Sequence, residues 1–109
     1  MFNGIGTDIV EILRIKKAVE SEHFMHRVFT KNEIDYAMSK GNPEQSFAGI
    51  FCAKESIVKA MGTGFSGVKF HDIEILHDEL GKPYCTNENI LISISHCKEY
   101  ATAMAFIKE

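Results

Sequence analysis

The chain has 109 residues, of which 45% are hydrophobic and 25% charged, fractions typical of a soluble globular domain and unlike those of a disordered chain. This length predicts a single domain over residues 1–109, and a large substrate would then need surface from a second chain. The net charge is −3, whereas nucleic-acid-binding proteins usually carry a basic excess, so nucleic acid is not an expected partner.

A strand and a basic helical segment open the chain. Residues 2–11 alternate and are rich in β-branched side chains, which predicts a strand, and helical spacing follows at Ile12, Ile15 and Val19. Residues 12–31 carry a local charge of +3, from five basic residues against two acidic ones. This segment is either a solvated helix face or a docking surface for an acidic partner.

Two further helices have clear boundary signals. Thr30 and Glu33 form a capping box, which predicts a helix to about residue 39. The longest helical pattern runs over residues 43–61, with Pro43 at a favourable first position and Gly62 at the end.

The last forty residues change to a period of two. Apolar residues alternate over residues 68–75, 90–94 and 100–107, and a turn is predicted over residues 78–81. A strand, then helices, then antiparallel strands predict an α+β fold in which helices pack on a small antiparallel sheet.

Cysteine usage and the N-terminal residues bear on the compartment. The three cysteines, Cys52, Cys85 and Cys97, lack the spacing of a zinc site or a disulfide framework. The N-terminal residues do not have the pattern of a signal peptide, and no apolar run is long enough to span a membrane. We therefore expect a cytoplasmic protein with no membrane partner.

Three charged residues are candidates for a metal and phosphate site. Asp8 lies on the predicted strand, where it either faces solvent or anchors a hard cation such as Mg²⁺, which prefers one or two carboxylates together with water and phosphate. Glu55 and Lys59 are four residues apart on the long helix. They either form a helix-stabilising ion pair or join Asp8, as a metal ligand and a phosphate-neutralising cation. Lys54 is expected to extend along the apolar stripe to solvent.

Two further features could contact a phosphate. Gly62, Thr63 and Gly64 follow the long helix, where a glycine most often caps the helix end. Two glycines around a hydroxyl also let the backbone approach a phosphate, although the spacing is not that of a P-loop. His96 ends the predicted strand that begins at Ile90, and it is either a surface residue or a contact for a phosphate or nucleotide.

Three segments together resemble one family. They read G-I-G-T-D-I-V-E-I at residues 4–12, F-C-A-K-E-S-I-V-K-A-M-G-T-G at 51–64, and S-I-S-H-C-K-E-Y-A at 93–101. In this combination they are similar to the motifs of the holo-[acyl-carrier-protein] synthases, the small bacterial 4′-phosphopantetheinyl transferases. The resemblance runs almost end to end, and it implies the fold of that family, assembled as a homotrimer with active sites between neighbouring subunits.

The resemblance also implies an activity and a set of functional residues. The family transfers the 4′-phosphopantetheine group of coenzyme A to a serine of apo acyl carrier protein, releasing adenosine 3′,5′-bisphosphate, in fatty acid biosynthesis, with Mg²⁺ as cofactor. By the same resemblance, Asp8 and Glu55 match the Mg²⁺ ligands, and Lys59 matches the lysine near the transferred phosphate. The expected catalytic residues are Glu55 and Lys59, with Glu55 acting as general base, as metal ligand or as both. Contacts to coenzyme A are expected from Lys59, Gly62, Thr63, Gly64 and His96. The resemblance implies a contact with the acidic carrier protein at Arg14. The charge of the basic segment adds Lys17 and Arg27 as expected docking residues.

One position departs from the family pattern. Ile50 stands where an arginine is usual, just before the phenylalanine of the middle motif, which puts one phosphate contact in question. Two other functions use the same residues. One is a module that docks an acidic carrier protein through the basic segment without chemistry, and the other is a Mg²⁺-dependent hydrolase of a nucleotide pyrophosphate.

Overall fold

The structure is a computed structural model that describes residues 2–62 and 69–108. The elements in chain order are β1 (Phe2–Glu11), α1 (Ile12–Ala18), α2 (Glu22–Val28), α3 (Lys31–Met38), α4 (Pro43–Met61), a 3₁₀ turn (Phe70–Asp72), β2 (Ile75–His77), β3 (Pro83–Cys85), β4 (Ile90–His96) and β5 (Tyr100–Lys108). This order confirms the predicted α+β class. Within these residues, no helix is both long and apolar enough to cross a bilayer.

The predicted helix boundaries of α3 and α4 are confirmed. The Thr30 hydroxyl accepts a hydrogen bond from the Glu33 amide at 3.3 Å, and the Glu33 carboxylate accepts one from the Thr30 amide at 2.8 Å. Helix α4 begins at Pro43, is capped by the side chain of Asn42, and ends at Gly62 with a left-handed φ of 72°. Each signal satisfies backbone groups within one turn, which is why the sequence reveals it.

Helix α4 lies across one face of a three-stranded antiparallel sheet with the order β1-β5-β4. The approach is close because glycines on β1 face the helix. A Cβ at Gly4 would overlap the Ala60 carbonyl oxygen, and one at Gly6 would overlap that of Ser56. On β5, the residues that face the helix are small and buried, namely Ala101, Ala103 and Ala105. Strands β2 and β3 form a separate hairpin.

Two expectations for the chain outside α3 and α4 were incomplete or wrong. The alternating pattern at 68–75 does not form one strand, because Phe70–Asp72 is a 3₁₀ turn and β2 starts only at Ile75. The turn places the Phe70 ring 5.9 Å from that of Phe51 on α4. Within the basic segment, α2 forms a helix of its own, capped by the side chain of Ser21.

Lys54 is buried, which corrects the expectation that it reaches solvent. Its ammonium lies 2.6 Å from the Glu33 carboxylate, and both side chains are fully inaccessible. The same nitrogen donates to the carbonyls of Val28 at 2.7 Å and Phe70 at 2.9 Å. Burial lowers the pKa of Lys54, and the charge of Glu33 opposes that shift. The pair therefore joins α4 to α3, to the end of α2 and to the 3₁₀ turn.

Candidate active site

Asp8 lies on the face of β1 that packs on α4, between Gly6 and Val10, which are buried on the same face. The Asp8 side chain is only 15% exposed. Its carboxylate oxygen Oδ1 accepts a hydrogen bond from the Lys59 ammonium at 3.1 Å. The backbone of Asp8 is held as well, because its carbonyl accepts a hydrogen bond from the Thr102 hydroxyl at 2.8 Å. Of the two interpretations of Asp8, the structure excludes the solvent-facing one.

Lys59 pairs across the strand–helix interface. Its ammonium donates to the Thr7 carbonyl at 3.1 Å as well as to Asp8. In the described part of the chain, the hydrogen bonds and ion pairs of Lys59 do not include Glu55, so of the two interpretations the ion pair within the helix is not observed. The Lys59 side chain is 52% exposed, so its ammonium can reach a bound ligand from this position.

Glu55 lies one turn before Lys59 on α4 and is half-buried. Burial raises the pKa of Glu55, and the negative charge of Asp8 raises it further. The cations of Lys59 and Arg14 oppose the shift without cancelling it. Asp8 and Glu55 are therefore close enough for the charge of Asp8 to act on Glu55, with burial the larger cause of the raised pKa.

Cys52 belongs to this cluster, although the sequence analysis assigned it no role. Its thiol lies 3.4 Å from Asp8 Oδ2 and 3.4 Å from the Ala101 carbonyl, and the residue is fully buried. Burial and the nearby carboxylates raise the pKa of the Cys52 thiol to about 12, so it is a neutral donor at physiological pH. The spacing of residues 52, 55 and 59 could have placed Cys52 in the cluster from the sequence, because these three residues share one face of α4.

The donor set of the cluster suits a hard cation. In residues 2–62 and 69–108, no group of three or more His, Cys, Asp or Glu side chains is arranged to hold a metal. A zinc site normally needs at least three such ligands. Mg²⁺ instead uses one or two carboxylates and completes its shell with water and phosphate oxygens, which matches two neighbouring carboxylates such as Asp8 and Glu55.

The other residues predicted to contact coenzyme A lie partly within the described residues. Gly62 ends α4 beyond Lys59, whereas Thr63 and Gly64 lie outside the described residues. His96 is exposed at the end of β4, and in the described chain it makes no hydrogen bond or ion pair to Asp8, Glu55 or Lys59. It lines a cavity of about 170 Å³ together with Ile50, the residue that departs from the family pattern.

The three predicted docking residues are exposed on consecutive helices. Arg14 and Lys17 lie on α1, and Arg27 lies in the last turn of α2. Arg14 is close enough to Glu55 to influence its pKa, so α1 borders the carboxylate pair. Arg27 lines a second cavity, of about 530 Å³, with Lys69 and His71 among its other residues.

Comparison with known proteins identifies the class. A sequence model of the 4′-phosphopantetheinyl transferase superfamily matches residues 4–105, so the chain belongs to that superfamily. Within it, the chain is 46% identical to holo-[acyl-carrier-protein] synthase of Fusobacterium nucleatum, covering 98% of this chain and 99% of the relative. It is 48% identical to the synthase of Protochlamydia amoebophila, covering 94% of each chain. These matches confirm the family resemblance seen in the sequence.

Solved structures of the same family share the fold. The Bacillus anthracis holo-(acyl-carrier-protein) synthase, in complex with CoA (3′,5′-ADP), superposes with a TM-score of 0.87 at 41% identity, covering 98% of this chain and 96% of that one. The Helicobacter pylori synthase, in complex with coenzyme A, has a TM-score of 0.84 at 31% identity, covering 95% and 99%.

Proposed function

We propose that this protein is a holo-[acyl-carrier-protein] synthase that transfers 4′-phosphopantetheine from coenzyme A to a serine of apo acyl carrier protein. Full-length similarity to enzymes of that name supports the reaction. The observation that carries it to specific residues is the cluster in which Lys59 contacts Asp8 and Asp8 raises the pKa of Glu55. The free thiols of all three cysteines fit a reducing cytoplasm. The similar enzymes named holo-[acyl-carrier-protein] synthase support a role in fatty acid biosynthesis.

Asp8 and Glu55 would hold the Mg²⁺ ion. When bound, Mg²⁺ supplies neutralisation of the pyrophosphate charge that builds up as the phosphoryl group is transferred. The protein needs to contribute little covalent chemistry to such a transfer, so its residues act by charge and position. Lys59, half-exposed beside the carboxylates, turns its ammonium to the coenzyme phosphate.

Glu55 takes the proton of the attacking serine. Glu55 is half-buried beside Asp8 and Lys59, and a carboxylate within hydrogen-bond reach of the serine hydroxyl can act as its general base. The serine oxygen forms a bond to the phosphorus that carries pantetheine, and the pyrophosphate P–O bond breaks. Adenosine 3′,5′-bisphosphate leaves with the electron pair of that bond.

Coenzyme A and the carrier protein bind to separate surfaces of the enzyme. The cavity lined by His96 and Ile50 receives part of the nucleotide end of coenzyme A, and Gly62 at the end of α4 borders the phosphates. The exposed cations Arg14, Lys17 and Arg27 dock the acidic carrier protein. Charge reversal at a docking residue that does not act on Glu55, for example Lys17→Glu, should raise KM for carrier protein at least tenfold and leave KM for coenzyme A unchanged. Lys82→Glu on the β2–β3 hairpin is the matched control.

The protein acts as a homotrimer with active sites between subunits. The sheet face opposite α4 is the interface, because it exposes large apolar side chains along β1, including Ile5 at 62% and Ile9 at 64%. The register places Met104 of β5 on the same face, and it too is exposed. Apolar surface of this extent usually marks an interaction site.

The transfer reaction is tested by intact-protein mass spectrometry. Incubation of apo carrier protein with coenzyme A, Mg²⁺ and enzyme should add the mass of one phosphopantetheine. Asp8→Asn and Glu55→Gln should each lower the rate at least 100-fold, whereas Asp35→Asn on α3 should not. Binding of carrier protein without a mass gain would support the docking module instead. Release of adenosine 3′,5′-bisphosphate without carrier protein would support the hydrolase.

The assembly is tested by light scattering coupled to size exclusion. Ile9→Glu should convert a trimer into a folded monomer that lacks transferase activity, because a charge on the shared face opposes association. Leu80→Glu is the matched control, since Leu80 is 95% exposed in the hairpin turn away from that sheet. A monomeric wild-type protein, or a fully active monomeric variant, would contradict the assembly without affecting the proposed reaction.

A further inference from the structure

The two oxygens of the Asp8 carboxylate have different hydrogen-bond donors. Oδ1 accepts from the Lys59 ammonium at 3.1 Å, and Oδ2 lies 3.4 Å from the Cys52 thiol. The single thiol proton has a second acceptor at 3.4 Å, the Ala101 carbonyl, and the charged carboxylate is the stronger acceptor of the two. A carboxylate oxygen can accept about two hydrogen bonds, so each oxygen keeps capacity for another partner. The two donors therefore orient the Asp8 carboxylate, and each of its oxygens can still bind a cation.

The two donors differ in mobility. The Lys59 side chain is half-exposed and long, whereas Cys52 is fully buried on the inner face of α4. A buried side chain in a close-packed interior has little freedom to move. Under the proposed function, Lys59 turns to the coenzyme phosphate during the reaction. The thiol then remains as the side-chain donor to Asp8 seen in this structure.

We propose that Cys52 is a positioning residue that holds the Asp8 carboxylate in the orientation needed to bind the divalent cation. The terminal torsion of an aspartate is broad, so without a fixed donor the two oxygens rotate over a wide range. Partners that orient a metal ligand typically contribute about 10–100-fold to metal affinity. Because a thiol is a weak donor, we expect about three- to tenfold here. This inference rests on the proposed binding of a cation at Asp8 and Glu55.

The test measures metal binding directly. Mn²⁺ replaces Mg²⁺, and free Mn²⁺ is followed by electron paramagnetic resonance in the presence of coenzyme A. Cys52→Ala removes the donor and should raise the Kd for Mn²⁺ about three- to tenfold, whereas Cys52→Ser keeps a donor and should stay within about twofold of wild type. Cys85→Ala, at a second buried cysteine outside the cluster, is the matched control and should not change the Kd.

Steady-state kinetics separate positioning from general damage. For Cys52→Ala, KM for Mg²⁺ should rise by the same factor as the Kd, while kcat at saturating Mg²⁺ and KM for carrier protein stay near wild type. If Cys52→Ala does not fold, Cys52→Val, which fills the volume without a donor, takes its place in the comparison with serine. Equal Mn²⁺ affinity in wild type and in the donor-free variant would overturn the inference. A wild-type protein that binds no Mn²⁺ would instead overturn the proposed metal site itself.

Discussion

Removing the Lys54 ammonium is expected to be among the most destabilising single changes in this chain. The substitution Lys54→Met keeps the aliphatic length and leaves the Glu33 carboxylate buried without its cation. The carbonyls of Val28 and Phe70 also lose the donor that lies 2.7 Å and 2.9 Å away. Breaking a buried pair by removing one partner typically costs about 3–5 kcal/mol.

That cost is large against the whole stability of a small domain, which is about 5–15 kcal/mol. At roughly 4 °C per kcal/mol for a chain of this size, Tm should fall by about 12–20 °C. Circular dichroism at 222 nm during thermal and urea denaturation measures both quantities. A cycle with Glu33→Gln should show that the two substitutions are not additive, with a coupling of at least about 1 kcal/mol.

A second ion pair in the same protein provides the control. Lys31 and Asp35 are 2.8 Å apart, close to the 2.6 Å of the buried pair, but their side chains are 88% and 61% exposed. Water and salt screen such a pair, so Lys31→Met should leave Tm unchanged within error. Equal effects of Lys31→Met and Lys54→Met would refute the reasoning, because burial is what separates the two pairs.

Three other substitutions test the packing, the active site and a helix cap. Gly6→Ala should cost about 3 kcal/mol in urea denaturation, because its Cβ would overlap the Ser56 carbonyl, while Gly41→Ala, with no atom within 4 Å of the new Cβ, should cost little. Between the ordinary and the raised pKa of Glu55, the folded state binds more protons than the unfolded state, so metal-free stability should fall as pH rises through that window. Glu55→Gln should remove the fall in Tm with rising pH. A steeper fall in the variant than in the wild type would contradict this assignment to Glu55. Thr30→Ala should cost about 1 kcal/mol, with Thr30→Ser near wild type as the control.

Local signals explain which parts of the fold were predictable. The capping box at Thr30 begins one helix, and the left-handed glycine at residue 62 ends another. Each acts within one turn of its helix, so it can be recognised from the amino-acid sequence alone. The segment at Phe70–Asp72 gave a false strand signal, because its apolar spacing serves a 3₁₀ turn that delivers Phe70 to α4. Helix α2 was missed, since its seven residues, of which Val28 is the buried one, are too few to show a helical period of apolar residues.

The sequence by itself determined the residue types of the candidate site, the helix that carries two of them and the family to which the chain belongs. Tertiary structure alone decided the partners. Lys59 pairs with Asp8, which is 51 positions away, and not with Glu55 one turn away. Lys54 enters the core because Glu33 meets it there, and the Cys52 thiol reaches Asp8 across the strand–helix interface. Such contacts depend on which elements pack together and on how closely they pack. The spacing of residues along one helix gives no information on either.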